Sequence, residues 1–238
     1  QGADVTSLQR HHSVELEHFG VRQVLGALDD ADRVRQALHG IDAVIHNAAM
    51  ASGWGAWEDY YRTNVTGTNC LLQACRASNI RRFVYTSTPS VVHAGRTPVA
   101  GGNERDTPYG TRFSAHYPHT KMLAERAVLA ANDPALATVA LRPRLIWGPG
   151  DTQLLPRLVA RAKAGRLRFI GDGNNRMDCT YIDNVVDAHL LALARIEPGA
   201  ACAGKAYFIS NGEPWPIRDI VNGLLAAADA PLVEKTLP

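Results

Sequence analysis

An α/β fold on a doubly wound parallel sheet, followed by a small C-terminal lobe, is the architecture this sequence predicts. Short apolar runs rich in β-branched residues alternate with longer helical patterns, which is how βα units read. After Gly148-Pro149-Gly150 that alternation becomes less regular, as a smaller lobe would make it. Strands are expected at Asp4–Gln9, Val21–Leu25, Ala43–His46, Arg82–Thr86 and Thr138–Leu141, with shorter ones at Phe169 to Ile170 and Tyr207 to Ile209. Helices are expected between them. The first spans Asp32–Leu38, with Asp29 and Asp30 as cap candidates. A long one spans Tyr60–Ala77, with Leu71, Leu72 and Ala74 on its apolar side, and an Ala/Leu-rich one spans His119–Ala131. Asn132-Asp133-Pro134 stops the last of these. Residues 93–111, rich in Gly, Pro, Thr and charge, read as a surface excursion.

Composition narrows the function classes. Of 238 residues, 46% are hydrophobic and 20% charged, enough apolar content for a sizeable core. Lys and Arg number 25 against 23 Asp and Glu, and the basic residues are scattered, so no nucleic-acid footprint is present. Cys70, Cys75, Cys179 and Cys202 form neither a CxxC pair nor a metal-ligand spacing. They read as reduced thiols of a cytoplasmic protein, and no metal is expected. No apolar run approaches the ~18 residues of a membrane span.

The chemistry is carried by Tyr117-Pro-His-Thr-Lys121, at the start of the predicted helix. A spacing of four puts both side chains on one helical face. A phenol is a poor proton donor and acceptor at neutral pH, and an ammonium close by would lower its pKa by about 1–3 units. That is what a general acid/base for carbonyl–alcohol interconversion requires. Alone, the pair is a weak signal. Upstream, Arg82-Phe-Val-Tyr-Thr-Ser-Thr88 is a strand ending in hydroxyl residues, at the end of a parallel strand that faces ligands. A hydroxyl there can hold a substrate carbonyl or merely form a Ser/Thr turn. Val44-Ile-His-Asn-Ala-Ala49 runs into small residues that admit a flat ligand, and Asn64 is a polar residue inside a helix.

Read in order, His46-Asn-Ala-Ala49, Asn64-Val-Thr-Gly-Thr68, Tyr85-Thr-Ser-Thr88, Tyr117–Lys121, Leu141-Arg-Pro143 with Trp147-Gly-Pro-Gly150, and Tyr181-Ile-Asp-Asn184 resemble an extended short-chain dehydrogenase/reductase of the 3β-hydroxysteroid dehydrogenase-like branch. Within it, Ser52–Trp57, Pro89–Val92, Ala115–Lys121 and Gly204–Glu213 are most similar to bacterial 2-alkyl-3-oxoalkanoate reductases, with sterol-4-carboxylate dehydrogenases close behind. The resemblance implies a Rossmann-type domain over 1–147 and a mainly substrate-binding lobe over 148–238, the two interleaved. It implies Tyr117 as acid/base, Lys121 as the residue that lowers its pKa and binds the nicotinamide ribose, and Thr88 as the hydroxyl on the carbonyl, with Ser87 beside it at the substrate. Ala48 and Ala49 would line the cofactor groove, and Pro143 would pass near the nicotinamide carboxamide. Trp54 and Trp57 would offer apolar area to a lipid-like small-molecule substrate. A homodimer, or an association with enzymes of the same pathway, is compatible with such a protein.

The sequence also departs from the family's pattern. No glycine-rich phosphate loop is present, and the chain opens on Gln1 and almost at once on a strand. The expectation is therefore that roughly one βα unit (~25 residues) precedes it, and that the C-terminal lobe is cut short. Where the ribose-binding carboxylate belongs stand Gln9 and Arg10, which favours NADP(H) over NAD(H). Ala27 stands where an Asp near the adenine is usual. The reading is an NADP(H)-dependent reductase of a bulky 3-oxo acid or a 3-keto/3-hydroxy compound. Its alternatives are a sterol-4-carboxylate or 3β-hydroxysteroid dehydrogenase, a nucleotide-sugar epimerase or dehydratase, and a non-catalytic dinucleotide-binding protein. A diphosphate sugar would need cations in the lobe, where Arg157, Arg161 and Arg176 are the candidates; a non-catalytic protein would be expected to have lost Tyr117 or Lys121.

Overall fold

The computed structural model describes residues 2–51, 54–93 and 99–238. Ser52 and Gly53 of the tryptophan segment, and 94–98 of the surface excursion, lie outside them. In chain order the elements begin with β1 (Thr6–Gln9), α1 (Val14–His18), β2 (Arg22–Leu25), α2 (Ala31–Ala37) and β3 (Ala43–His46). Then come α3 (Trp57–Tyr61), one π-helical turn over Arg62–Thr66, α4 (Gly67–Ala77), β4 (Arg82–Thr86) and α5 (His116–Ala130). β5 (Ala137–Pro143), β6 (Ile146–Trp147), α6 (Leu154–Lys163), β7 (Phe169–Ile170), β8 (Arg176–Met177) and β9 (Thr180–Tyr181) follow. The chain continues through α7 (Ile182–Arg195), β10 (Lys205–Ile209), β11 (Trp215–Pro216), α8 (Ile217–Ala227) and β12 (Thr236–Leu237).

The chain divides into two compact units. The first takes the described residues up to Arg142 together with His189–Phe208; the second takes Pro143–Ala188 with Ile209–Pro238. The first unit holds the α/β layers that the sequence predicts. β1 and β2 are parallel, with Thr6 opposite Arg22, and the order β10-β5-β4-β3 forms a separate sheet in which β3, β4 and β5 run parallel. No strand among the described residues bridges β1 and β3. β5 is buried along its whole length, as a strand covered on both faces must be. Phe83, Leu71, Cys75, Leu136 and Val128 meet in the core between this sheet and the helices.

Local chemistry explains where these helices start and stop. Asp30 caps α2, its carboxylate accepting from the backbone N–H of Asp32 and Arg33. Ser13 does the same for α1, a short helix that sequence patterning does not reveal. α5 begins at His116, three residues before the expected start, because Pro118 falls in its first turn, where no N–H is needed. Asp133 ends that region by accepting from Ala135 N and Leu136 N.

The second unit has its own core, in which Phe169, Ala162, Leu225, Ala230 and Val233 pack together. Among the described residues, no helix is long and apolar enough to cross a membrane, and no His/Cys/Asp/Glu group could hold a metal ion. The four cysteines are free thiols.

Candidate active site

β4 delivers its C-terminal end to the first turn of α5. Thr88 leaves the strand in extended conformation and caps the short turn Pro89–Val91, its Oγ1 lying 3.3 Å from Ser90 N and 2.7 Å from Ser90 Oγ. It also acts on the Tyr117 hydroxyl, favouring the ionised phenol. Ser87 is held by its backbone: its N–H donates to Leu141 O at 2.6 Å, while its buried Oγ meets no partner among the described residues. Between the two neighbouring hydroxyls, Thr88 is the one that acts on Tyr117.

Lys121 is buried beneath this corner. Its Nζ donates to Thr86 O at 2.6 Å and sits 4.1 Å from the centre of the Tyr85 ring. Burial pulls its pKa down to about 7, opposed by the negative charge of Glu125. Tyr117 moves the other way: burial raises the phenol, and the Thr88 hydroxyl opposes that rise. The lowering of Tyr117 by Lys121 that their spacing predicts is thus not what this structure holds. A shared helical face brings both side chains to the end of β4, but the ammonium is turned to the strand carbonyl.

The π-helical turn ties this corner to β3. Asn64, buried in that turn, accepts from Met50 N (2.7 Å) and donates to Met50 O (3.1 Å) and to Thr120 Oγ1 (3.0 Å). The polar residue inside the helix therefore docks the chain after Ala48 and Ala49 onto α5. Such π insertions recur at functional sites. Beneath it, Thr68 Oγ1 donates to Asn64 O at 2.6 Å, so its oxygen accepts from His46 Nε2–H at 2.9 Å. His46 is thereby held neutral in full burial, its pKa lowered to about 3 by desolvation, with Lys121 adding to the effect.

A cavity of about 520 Å³ opens at the C-terminal ends of β1 and β2 and beyond β3. Gln9, Arg10, Ala27, Asp29, Ala48, Ala49 and Arg62 line it. Arg10, Ala48 and Ala49 are thus brought together as expected. Arg62 is an addition that sequence reading missed; it pairs with Asp59 at 3.0 Å and approaches Asp29 at 3.9 Å. Small side chains, an amide and two guanidiniums suit the adenosine and phosphate end of a dinucleotide, so these residues fit such a cofactor.

The two tryptophans separate. Trp57 lies against α5, its ring centre 4.9 Å from His119, 5.6 Å from His116 and 5.7 Å from Tyr61. Phe113 stacks on His119 at 5.1 Å, which extends an aromatic wall on both sides of Tyr117 in sequence. Trp54 is 93% exposed. Pro143 closes β5 in a buried position. Sequence reading also missed Glu125, Arg142 and Tyr109. Arg142 Nη2 and Nε reach the two Glu125 oxygens at 2.6 and 3.0 Å, and Tyr109 Oη donates to Glu125 at 2.7 Å. Glu125 is four residues after Lys121, so the spacing that singles out Tyr117 and Lys121 extends to it.

Comparison with known proteins bears on this geometry. A model of the 3-beta hydroxysteroid dehydrogenase/isomerase family matches residues 3–238. The chain is 56% identical over 237 residues to a 2-alkyl-3-oxoalkanoate reductase of Stenotrophomonas maltophilia (strain K279a), spanning all of this chain and 72% of that protein. It is 38% identical over 208 residues to a sterol-4-alpha-carboxylate 3-dehydrogenase, decarboxylating, of Mus musculus, spanning 86% of this chain and 57% of that one. In structure it is similar to a UDP-glucose 4-epimerase of Thermus thermophilus in complex with NAD, with a TM-score of 0.77, 24% identity, and 98% of this chain against 78% of the other. At that identity the likeness is one of fold.

Proposed function

As the chain belongs to the 3-beta hydroxysteroid dehydrogenase/isomerase family, we propose that the protein is an NADP(H)-dependent oxidoreductase that reduces a bulky, lipid-like 3-oxo acid of the 2-alkyl-3-oxoalkanoate kind to the 3-hydroxy acid. The observation that carries the proposal is the convergence of Tyr117 and Thr88 at the end of β4, with Lys121 anchored one turn below on Thr86 O. When bound, a nicotinamide dinucleotide supplies the hydride. Tyr117 supplies the proton: burial keeps the phenol in its donor form at neutral pH, so Oη–H can protonate the carbonyl oxygen as the C=O bond becomes C–H and O–H. Thr88 holds that oxygen, and the buried Ser87 hydroxyl is a second donor within the same turn. Arg10, Ala48 and Ala49 hold the adenosine end of the cofactor, Lys121 the nicotinamide ribose, and Pro143 borders its carboxamide. Trp57 and Trp54 offer the apolar area on which an acyl chain rests.

The test is a series of 3-oxo acids of rising chain length, assayed with the full-length protein and with Tyr117→Phe. Each methylene buried contributes about 0.8 kcal/mol, so catalytic efficiency should climb steeply along the series. Tyr117→Phe should cost about 10²–10⁴-fold in turnover with little change in cofactor affinity. A flat series together with turnover of a UDP-sugar would replace this reading by a sugar epimerase. The similarity to the sterol-4-alpha-carboxylate dehydrogenase makes a sterol acid the natural second substrate for the same assay.

A further inference from the structure

The network behind Lys121 has no task in the reaction just described. α5 carries Tyr117, Lys121 and Glu125 at successive spacings of four, hence along one face. Glu125 has no exposed surface, and three bonds hold it, two from Arg142 on β5 and one from Tyr109. Taking an ion pair out of water costs about as much as its attraction returns. Stability alone is therefore a weak reason to build this one beside a buried lysine.

The titratable groups facing Lys121 come from each packed element. They are Tyr117 and Glu125 on its own helix, Tyr85 on β4 and His46 on β3, with Arg142 and Tyr109 behind Glu125. Burial keeps His46 neutral and holds the Tyr85 phenol protonated. Among the described groups, Glu125 is then the anion that acts on the Lys121 ammonium.

We propose that Glu125, clamped by Arg142 and Tyr109, is a positioning residue for Lys121: its fixed carboxylate keeps the buried amine cationic at the end of β4. The consequence for turnover rests on the reductase reading, whereas the coupling itself does not. Without Glu125, burial is unopposed and Lys121 loses its proton at lower pH.

NMR of the full-length protein with lysine isotope-labelled at Cε follows Lys121 through the one signal that disappears in Lys121→Arg. In the wild type its midpoint should lie near 7. In Glu125→Gln it should fall by about one unit or more, the alkaline limb of the pH–rate profile should fall with it, and Glu125→Asp should restore most of both. If Glu125→Gln does not fold, the double variant Glu125→Gln/Arg142→Met also removes the guanidinium that the single variant would leave unpaired and should show the same downward movement. An unchanged Lys121 midpoint in either folded variant overturns the proposal, whatever the activity. A lowered midpoint with an unmoved pH–rate limb upholds the coupling and tells instead against Lys121 as part of the catalytic machinery.

Discussion

As candidates, Tyr117, Lys121 and Thr88 could be picked out of the sequence because each sits in a short local pattern and the patterns come in order. Glu125 and Arg142 were not, since 17 residues separate them and only the packing of β5 against α5 makes them neighbours. Arg62 was hidden for the same reason: it reaches the cavity of Gln9 and Arg10 from the π-helical turn, far along the chain. At this scale the cofactor preference is testable. No carboxylate stands at Gln9 to bind a ribose 2′-hydroxyl, and Arg10 can pair with a 2′-phosphate. The full-length protein should bind NADPH more tightly than NADH, and Arg10→Ala should weaken NADPH by about 1.5–3 kcal/mol, the worth of a hydrogen bond to a charged group, while sparing NADH. Equal affinities in a fluorescence titration would remove Arg10 from the role, leaving Arg62 to be examined.

Among elements, the strands and the helices of the first unit could be read from periodicity, because each buries one face or both. The lobe could not be read so closely. α6 and α8 pass between strands of only two residues, and α7 follows another, all too short to impose a period of two. The π-helical turn also left no sequence signal except Asn64 and the glycine that follows it. That glycine, Gly67, opens α4 where a Cβ would stand 2.7 Å from Leu28 Cβ. Two effects compete in Gly67→Ala. Alanine gains about 1 kcal/mol of helix propensity over glycine, but overpacking a close contact costs about 1–3 kcal/mol. Leu28 meets the new methyl with its own Cβ, which cannot swing aside, so the clash should win. A lower urea midpoint is the expected result, with weaker cofactor binding because Arg62 and Thr63 line the cavity just upstream. A raised midpoint would show that the helix yields there without strain.

For the whole molecule, the buried titratable groups combine into one expectation about pH. His46 has a folded pKa of about 3 against 6.5 when exposed. Between those values the unfolded chain binds a proton that the folded protein refuses, so stability falls as pH drops below 6.5. Lys121 acts in the same sense over a higher window, with about 7 folded against 10.5 exposed, so its contribution grows as pH rises from 7. Opposing both, Cys75 is raised from 9.0 to about 12 by burial, and Tyr85 and Tyr117 are raised likewise. Those groups keep protons that the unfolded chain releases, so stability is lost above roughly pH 9–10, the ordinary range of exposed thiols and phenols. The maximum should then lie between about pH 7 and 9, on the alkaline side of the usual window. Urea unfolding from pH 5 to 10 measures it directly. Each fully titrating group changes the slope by about 1.4 kcal/mol per pH unit. His46→Gln should therefore flatten the curve between pH 5 and 6.5, and Lys121→Met should flatten it above 7. A maximum at or below pH 6, or slopes untouched by either substitution, would mean that these two side chains meet water in the folded protein and are not sealed beneath β3 and β4.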